Sequence, residues 1–186
     1  MRLDPRAPLV LSTKELGRQP GSARSLELSV TAPTNLGIEL IGVPEGSPVE
    51  LQLRLEAVAE GVLVSGRARA VLAGECARCL GAVASQLEAP IQELYVYPDR
   101  AIDGVDDARL EGDLLDLEPA LRDAVVLALP YRPVCRPDCP GLCPVCGARL
   151  ADQPRHAHDG DTDPRWSALA ALGSNEAGAR TGEDEE

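Results

Sequence analysis

Residues 49–58 read VELQLRLEAV, and this stretch is the clearest indication of the fold because apolar and polar side chains alternate along it. Strict alternation is typical of a β-strand that has one buried face and one exposed face. The sequence therefore predicts a strand in a sheet that covers a hydrophobic core on one side. The side chains predicted to face that core are Val49, Leu51, Leu53 and Leu55.

Similar runs continue on both sides of this stretch. In chain order they are SLELSVT (25–31), NLGIELIGV (35–43), VLVSGRARAVLAGE (62–75) and an extended segment from about 83 to 96. The second run is predicted to be one strand with Leu36, Ile38 and Leu40 on its buried face. Because short turn sequences separate the runs, we expect an antiparallel sheet or an open barrel.

One central helix is predicted downstream, in DLEPALRDAVVLALP (116–130). Asp116 can cap its start, Pro119 suits its first turn, and Pro130 ends it. Its apolar side chains recur every four residues and predict one buried stripe, formed by Leu117, Leu121, Val125 and Leu129. A sheet followed by a helix predicts the α+β class.

The chain also divides by composition. Residues 1–24 mix Pro, Gly, Ser and charged residues and predict a flexible lead-in, and residues 25–173 predict a single domain. Within that domain, residues 131–160 form a cysteine-rich segment, and a short second helix, DPRWSALAAL, is predicted at 163–172. The acidic tail at 174–186 is predicted to be disordered.

Charge and hydropathy exclude some classes of function. The formal net charge is −12, and much of it lies in the acidic tail and between Asp99 and Glu118, where residues 99–113 predict a solvated loop. No basic run provides a large surface for phosphate groups. The N-terminus lacks the apolar stretch of a secretory signal, and the longest apolar run, AVVLAL (124–129), is too short for a membrane span. We therefore expect a cytoplasmic protein whose cysteines stay reduced.

Reduced cysteines in close pairs favour metal binding over disulfide formation. The chain has six cysteines and two histidines, and they fall in CARC (76–79), CRPDC (135–139), CPVC (143–146) and HAH (156–158). Structural zinc takes four cysteine or histidine ligands in a tetrahedron, so eight ligands fill two closed sites. The predicted metal ligands are Cys76, Cys79, Cys135, Cys139, Cys143, Cys146, His156 and His158.

The eight ligands can be divided in two ways. The preferred division groups CPVC with HAH, which a short loop separates, and groups CARC with the cysteines at 135 and 139. The rival division places the four cysteines between 135 and 146 on one ion and leaves CARC with the histidines. Zinc or iron suits a site of four thiolates, so the sequence leaves the metal open.

Three other interpretations of these residues are a redox pair, ordinary surface histidines and the active site of an enzyme. CARC can be a thioredoxin-like redox pair, although its surroundings predict strands rather than the start of a helix. The histidines can be ordinary surface residues. An enzyme is disfavoured, because two closed four-ligand sites leave no coordination position for a substrate or water and no phosphate-binding loop or catalytic dyad occurs elsewhere.

Four blocks of this sequence resemble one family. ECARCL after a strand, LRDAVVLALP, CRPDCPGLCPVCGARL and DPRWSALAAL are similar, in order and spacing, to the YceD family of large ribosomal RNA subunit accumulation proteins. The resemblance covers about residues 25–173. Many relatives have Cys-x-Cys where this chain has His156 and His158, a change that keeps two metal ligands.

The resemblance implies a non-enzymatic role in the accumulation or assembly of large-subunit (23S) ribosomal RNA. The expected partner is the pre-ribosomal large subunit, through ribosomal RNA or a ribosomal protein, with no membrane and no small-molecule substrate. Arginines beside the predicted ligands can contact phosphates or an acidic partner, namely Arg78, Arg132, Arg136, Arg149 and Arg155. The alternative is a cytosolic zinc- or thiol-responsive regulatory protein. Sequence-specific RNA binding is less favoured, because the chain has few aromatic residues for base stacking.

Overall fold

The structure is a computed structural model that describes residues 3–100 and 108–158. The chain forms two compact units, and the boundary between them follows Leu142. This boundary lies inside the span 25–173 that the sequence predicts as a single domain. The predicted helix at 163–172 and the predicted tail at 174–186 lie outside the described residues.

The described residues contain eight strands and one helix. In chain order the strands are β1 (Val10–Ser12), β2 (Ala23–Thr31), β3 (Leu36–Ile38), β4 (Ile41–Val43), β5 (Pro48–Ala57), β6 (Gly61–Glu75), β7 (Ala82–Val96) and β8 (Leu114–Asp116). The helix, α1, spans Glu118–Ala128. Among the described residues, no helix combines the length and the hydropathy that crossing a membrane requires.

Six of these strands form one antiparallel sheet around β6. One edge of β6 pairs with β7 along its whole length, and the other edge pairs with β5 and then with β4. Strand β2 pairs with β5, and β3 pairs with β4. The predictions of an antiparallel sheet and of one helix are confirmed, and the sheet is open.

The buried face of this sheet is the one that alternation predicts. Val49 and Leu55 of β5 are completely buried. Val64 and Ala68 of β6, which pair with Leu55 and Leu51, are buried as well. Helix α1 packs against β7 and β3, and its Leu121 and Val125 are completely buried. The periodicity of each element therefore brings its apolar side chains into one core.

The start of α1 is held by side chains. The Asp116 carboxylate accepts a hydrogen bond of 3.0 Å from the Glu118 N–H, although the residue in the N-cap position is Leu117. The Arg122 guanidinium donates to the carbonyl oxygen of Asn35 at 2.6 Å and pairs with Glu118 at 3.0 Å. The bond to Asn35 ties the helix to the connection between β2 and β3. The position of the helix, and with it the starting point of the segment that follows, is therefore fixed.

The prediction of one strand at 35–43 is wrong. A two-residue turn at Glu39 and Leu40 reverses the chain, so the segment forms the β3–β4 hairpin. The reversal leaves Ile38 and Leu40 exposed and buries Ile41 instead, whereas Leu36 is buried as predicted. Its two strands approach closely because Gly37 has no side chain: a Cβ there would lie 2.4 Å from the Cα of Gly42.

The segment predicted as a flexible lead-in contains an ordered part. Strand β1 pairs with β8, with Leu11 opposite Leu115. Leu9 and Leu16 are also buried. The composition of residues 1–24 suggests a loop, but these leucines gain enough burial in the core to order the segment around them. The partner strand β8 follows the acidic stretch, of which residues 101–107 lie outside the described part.

Candidate metal centres

The first set of predicted ligands joins two segments that are far apart in sequence. Cys76 and Cys79 lie in the turn between β6 and β7, and Cys135 and Cys139 follow α1. The Ala77 N–H donates to the carbonyl oxygen of Pro133 at 2.8 Å. A backbone hydrogen bond therefore joins the two segments next to the cysteines. The position of the four ligands is thus held by the backbone as well as by contacts between the sulfur atoms.

The sulfur atoms of this first set have the spacing of a tetrahedral metal site. Cys76 Sγ lies 3.9 Å from Cys139 Sγ, and Cys79 Sγ lies 3.7 Å from Cys135 Sγ. All four sulfurs lie within 4.8 Å of one another. A zinc ion with Zn–S bonds of about 2.3 Å places its sulfur ligands about 3.8 Å apart. All four cysteines are free thiols, so the set fits one such ion.

The pKa values of the thiols in the first set also favour the binding of a cation. Hydrogen bonding from the Cys135 backbone lowers the pKa of Cys76 to about 6, with a further contribution from the Arg78 N–H and against the effect of burial. Hydrogen bonding with the Cys139 thiol, then burial, raises the pKa of Cys135 to about 12. Like charges in one small site are unfavourable, so the thiols cannot all ionise together without a cation. A divalent ion stabilises four thiolates by compensating their charge.

The second set lies within sixteen residues of the chain. Cys143 and Cys146 form a turn, and His156 and His158 follow after a loop, with the four ligand atoms within 4.8 Å of one another. Cys146 Sγ lies 3.3 Å from His156 Nε2, and the two histidine Nε2 atoms lie 2.9 Å apart. A mixed set of two thiolates and two imidazoles is a common structural zinc site.

Second-sphere contacts orient the ligands of the second set. The Gln153 Oε1 atom lies 3.0 Å from His156 Nδ1, and this contact leaves Nε2 available to a metal when Nδ1 carries the proton. The Val145 N–H lies 3.4 Å from Cys143 Sγ. Hydrogen bonds from the Cys146 and Val145 backbones lower the pKa of Cys143 to about 6, against the effect of burial.

The structure gathers the eight predicted ligands as the preferred division groups them. CARC lies in a turn between two strands, which contradicts a thioredoxin-like pair at the start of a helix. The contact between His156 and Cys146 argues against ordinary surface histidines. That these residues bind an ion stays a prediction.

The sequence does not predict the support that two residues give to the sets. No sequence signal marks Gln153 beyond its place three residues before His156. For Arg78 the sequence predicts only contact with a partner. Its guanidinium instead donates to the carbonyl oxygens of Cys139 at 2.9 Å and Pro137 at 3.4 Å, which holds the loop that carries Cys139.

The two sets differ in their access to solvent. Three cysteines of the first set are buried and Cys135 is exposed. In the second set only Cys143 is buried. Both sets supply four ligands, which is the number in a closed structural site. Each set can therefore hold an ion that cross-links the chain. Because more of its ligands are buried, the first set should exchange its ion more slowly than the second.

Comparison with known proteins identifies the family. The family model described as "Large ribosomal RNA subunit accumulation protein YceD" matches residues 64–173. An uncharacterized protein of Mycobacterium tuberculosis is 43% identical over 181 residues, which are 95% of this chain and 87% of that protein. An uncharacterized protein of Mycobacterium leprae is 39% identical over 170 residues, covering 89% and 78% of the two chains. No solved structure is significantly similar to the chain. The chain belongs to the YceD family.

Proposed function

We propose that this protein is a non-enzymatic factor in ribosome biogenesis that supports the accumulation or assembly of large-subunit ribosomal RNA. One observation carries the proposal. The chain belongs to a family whose description names the accumulation of that RNA, and it contains two complete four-ligand sets. The partner is the pre-ribosomal large subunit, through its RNA or one of its proteins, and the compartment is the cytoplasm.

The proposal includes two structural zinc ions, one in each set. The first would be held by Cys76, Cys79, Cys135 and Cys139, and the second by Cys143, Cys146, His156 and His158. Bound zinc supplies a cross-link between ligands, and the free energy of binding becomes free energy of folding. Iron also suits the four thiolates of the first set, so the metal content of the purified protein identifies the ion.

A non-enzymatic role agrees with the chemistry of the two sets. A catalytic zinc keeps one position for water or substrate beside three protein ligands, whereas each set here offers four. The family description names an accumulation of RNA and no reaction. We therefore propose that the metal sites give the protein a fixed shape with which it contacts the large subunit.

The proposal is tested by depletion of the protein in its own host. The ratio of mature large-subunit to small-subunit ribosomal RNA is measured in depleted cells that express the wild type, Cys76→Ser/Cys79→Ser, or Cys143→Ser/Cys146→Ser. Immunoblots show whether each variant is present at the level of the wild type. We expect a selective fall in large-subunit RNA on depletion that the wild type reverses. An unchanged ratio would overturn the proposal.

One observation favours a second function, that of a zinc- or thiol-responsive regulator. Cys146 is exposed in the second set, and an accessible thiolate exchanges its metal and reacts with oxidants more readily than a buried one. Mild peroxide added to the zinc-loaded protein tests this function. Release of one zinc that a thiol reductant reverses would support it, and retention of both ions would exclude it.

A further inference from the structure

A groove lies beside the first ligand set, within the first unit. It has a volume of about 330 Å³ and runs between the start of β7 and the segment that follows α1. Its lining is mainly apolar and contains one arginine. The lining includes Ile41, Val83, Ser85, Pro130, Arg132 and Pro133.

The segments around this groove are basic in an acidic protein. Residues 76–87 and 130–137 together contain three arginines and no acidic residue, whereas the whole chain has a formal net charge of −12. The arginines are Arg78, Arg132 and Arg136. The excess of cations at one place suits an anionic ligand.

Two of the three arginines already have partners. Arg78 donates to the carbonyl oxygens of Pro137 and Cys139, and Arg136 lies 3.5 Å from an Asp138 carboxylate oxygen. Four thiolates around a divalent ion leave a net charge of −2, which these two arginines, next to the ligands, are placed to offset. Among residues 3–100 and 108–158, no hydrogen bond or ion pair engages the side chain of Arg132. Arg132 is therefore the cation that remains for an external anion.

The residue beside Arg132 is an exposed aromatic. Tyr131 has 93% of its surface exposed, whereas Tyr95 and Tyr97 are buried. Tyr131 lies between Pro130 and Arg132, whose backbone is restricted by the following Pro133, and the Pro133 carbonyl oxygen accepts a hydrogen bond from the Ala77 N–H. A planar side chain held on a stiff turn loses little conformational entropy when a ligand stacks on it.

We propose that Tyr131, Arg132 and the groove bind an unpaired base and its phosphate in single-stranded RNA. The inference rests on the proposed function and specifies its partner as RNA. An exposed tyrosine stacks on unpaired bases, which is how proteins recognise single-stranded RNA, and the arginine contacts the phosphate. A groove next to the stack accepts the neighbouring base. RNA is favoured because an exposed ring next to a cation suits one base and its phosphate, and contact with a protein instead is one outcome of the test.

The test measures binding of full-length, zinc-loaded protein to fluorescein-labelled 12-nucleotide oligo(U) and oligo(A) by anisotropy. Stacking of one base gives about 5- to 150-fold in affinity, so we expect Tyr131→Ala to weaken binding by a factor in that range. Tyr131→Phe keeps the ring and should bind within about twofold of the wild type. Arg132→Gln should weaken binding and lower the slope of log affinity against log salt by about 0.7, the contribution of one phosphate on a single strand.

Two variants are matched controls. Arg6→Gln removes the same charge at an exposed position elsewhere, and Leu127→Ala removes an apolar side chain that is 85% exposed on α1. Both should bind RNA as the wild type does. Unchanged melting temperatures of the Tyr131 and Arg132 variants exclude misfolding, since both side chains are exposed.

The inference and the proposed function fail in different ways. Absence of wild-type binding, or equal binding by Tyr131→Ala and the wild type, overturns the inference. Depleted cells then separate the two claims: if Tyr131→Ala restores the ratio of ribosomal RNAs as the wild type does, the groove is not the RNA contact and the function stands. If the variant fails to restore it while binding oligonucleotides normally, the groove contacts a protein and the inference is wrong. If even depletion leaves the ratio unchanged, the function fails whatever the oligonucleotides show.

Discussion

Leu80 and Gly147 have the same backbone conformation at the same place in two metal-ligand turns. Each residue follows the second cysteine of a Cys-x-x-Cys turn, with φ of 55° at Leu80 and 72° at Gly147. Each donates its N–H to the carbonyl oxygen of the first cysteine at 2.9 Å. Glycine adopts this left-handed conformation readily, whereas leucine does so at a cost of about 1–2 kcal/mol. One turn therefore contains strain that the other avoids.

Replacement of Leu80 by glycine should raise the free energy of unfolding by about 0.5–1 kcal/mol. The substitution removes the strain, and the greater freedom of glycine in the unfolded chain offsets part of the gain. Thermal denaturation of zinc-loaded protein measures the change. The matched variant is Gly147→Ala, whose Cβ would meet nothing within 4 Å, so any loss it shows is conformational. A loss of stability in Leu80→Gly would show that the side chain packs more than its 53% exposure implies.

Removal of the cysteine pairs should remove one metal ion at a time. We expect two equivalents in the wild type and one in either Cys76→Ser/Cys79→Ser or Cys143→Ser/Cys146→Ser, measured by elemental analysis. The first variant should also lose thermal stability, because its ligands join the end of β6 to the segment after α1. Loss of both ions from either double variant would contradict two independent sites.

A chelator should remove the two ions at different rates. The first set has three buried cysteines, whereas the second set has one buried ligand, so the second ion should leave first. A metal-sensitive dye in the presence of EDTA should therefore report two phases of equal amplitude. In Cys143→Ser/Cys146→Ser the fast phase should be missing. A single phase in the wild type would mean that burial does not control the exchange.

Gln153 should control the affinity of the second set. Loss of a second-sphere hydrogen bond to a histidine ligand typically weakens metal binding 10- to 100-fold, so we expect about tenfold for Gln153→Ala in competition with a chelating dye. Gln153→Glu keeps an acceptor for His156 Nδ1 and should bind at least as tightly as the wild type. The control Gln86→Ala, an exposed position on β7, should change nothing. Equal affinity of Gln153→Ala and the wild type would show that the contact does not orient the ring.

Tyr95 should make the fold sensitive to alkali. Burial, with the negative charges of Glu93 and Asp116, raises the pKa of Tyr95 above its ordinary value of 10.0. An acid whose pKa is higher in the folded chain stabilises the fold fully below its unfolded pKa, and this contribution falls as the pH rises through the folded pKa. Melting temperatures from pH 7 to pH 11 should therefore fall above pH 10, and less in Tyr95→Phe than in the wild type.

Two further variants separate the causes of that loss. Tyr95→Phe also removes a 2.8 Å hydrogen bond to the Asp116 carbonyl oxygen, which should cost about 1 kcal/mol at pH 7. Tyr131→Phe, at an exposed tyrosine, should retain the alkaline loss of the wild type. An identical pH profile for Tyr95→Phe and the wild type would place the alkaline sensitivity elsewhere.

Most strands could be predicted because their pattern is local. The alternation at 49–58 and 62–75 reappears as β5 and β6, and the helical periodicity after Asp116 reappears as α1. The pattern misled at 35–43, because alternating side chains do not reveal a turn when no Gly or Pro stands at its centre. It also missed β1, a three-residue strand whose order depends on its pairing with β8 and on the burial of the leucines around it.

The identity of the eight candidate ligands followed from the sequence, because cysteine and histidine pairs at short spacing are a chemical signature that needs no fold. Their division into two sets depended on the folded chain, since 63 residues separate Cys76 from Cys139 and 56 separate Cys79 from Cys135. The same holds for Arg132, the one of three similar arginines that has no side-chain partner among residues 3–100 and 108–158. Residue types and periodicity are properties of neighbours along the chain, whereas sulfur spacing, burial and ion pairing depend on which distant segments the sheet and the helix bring together.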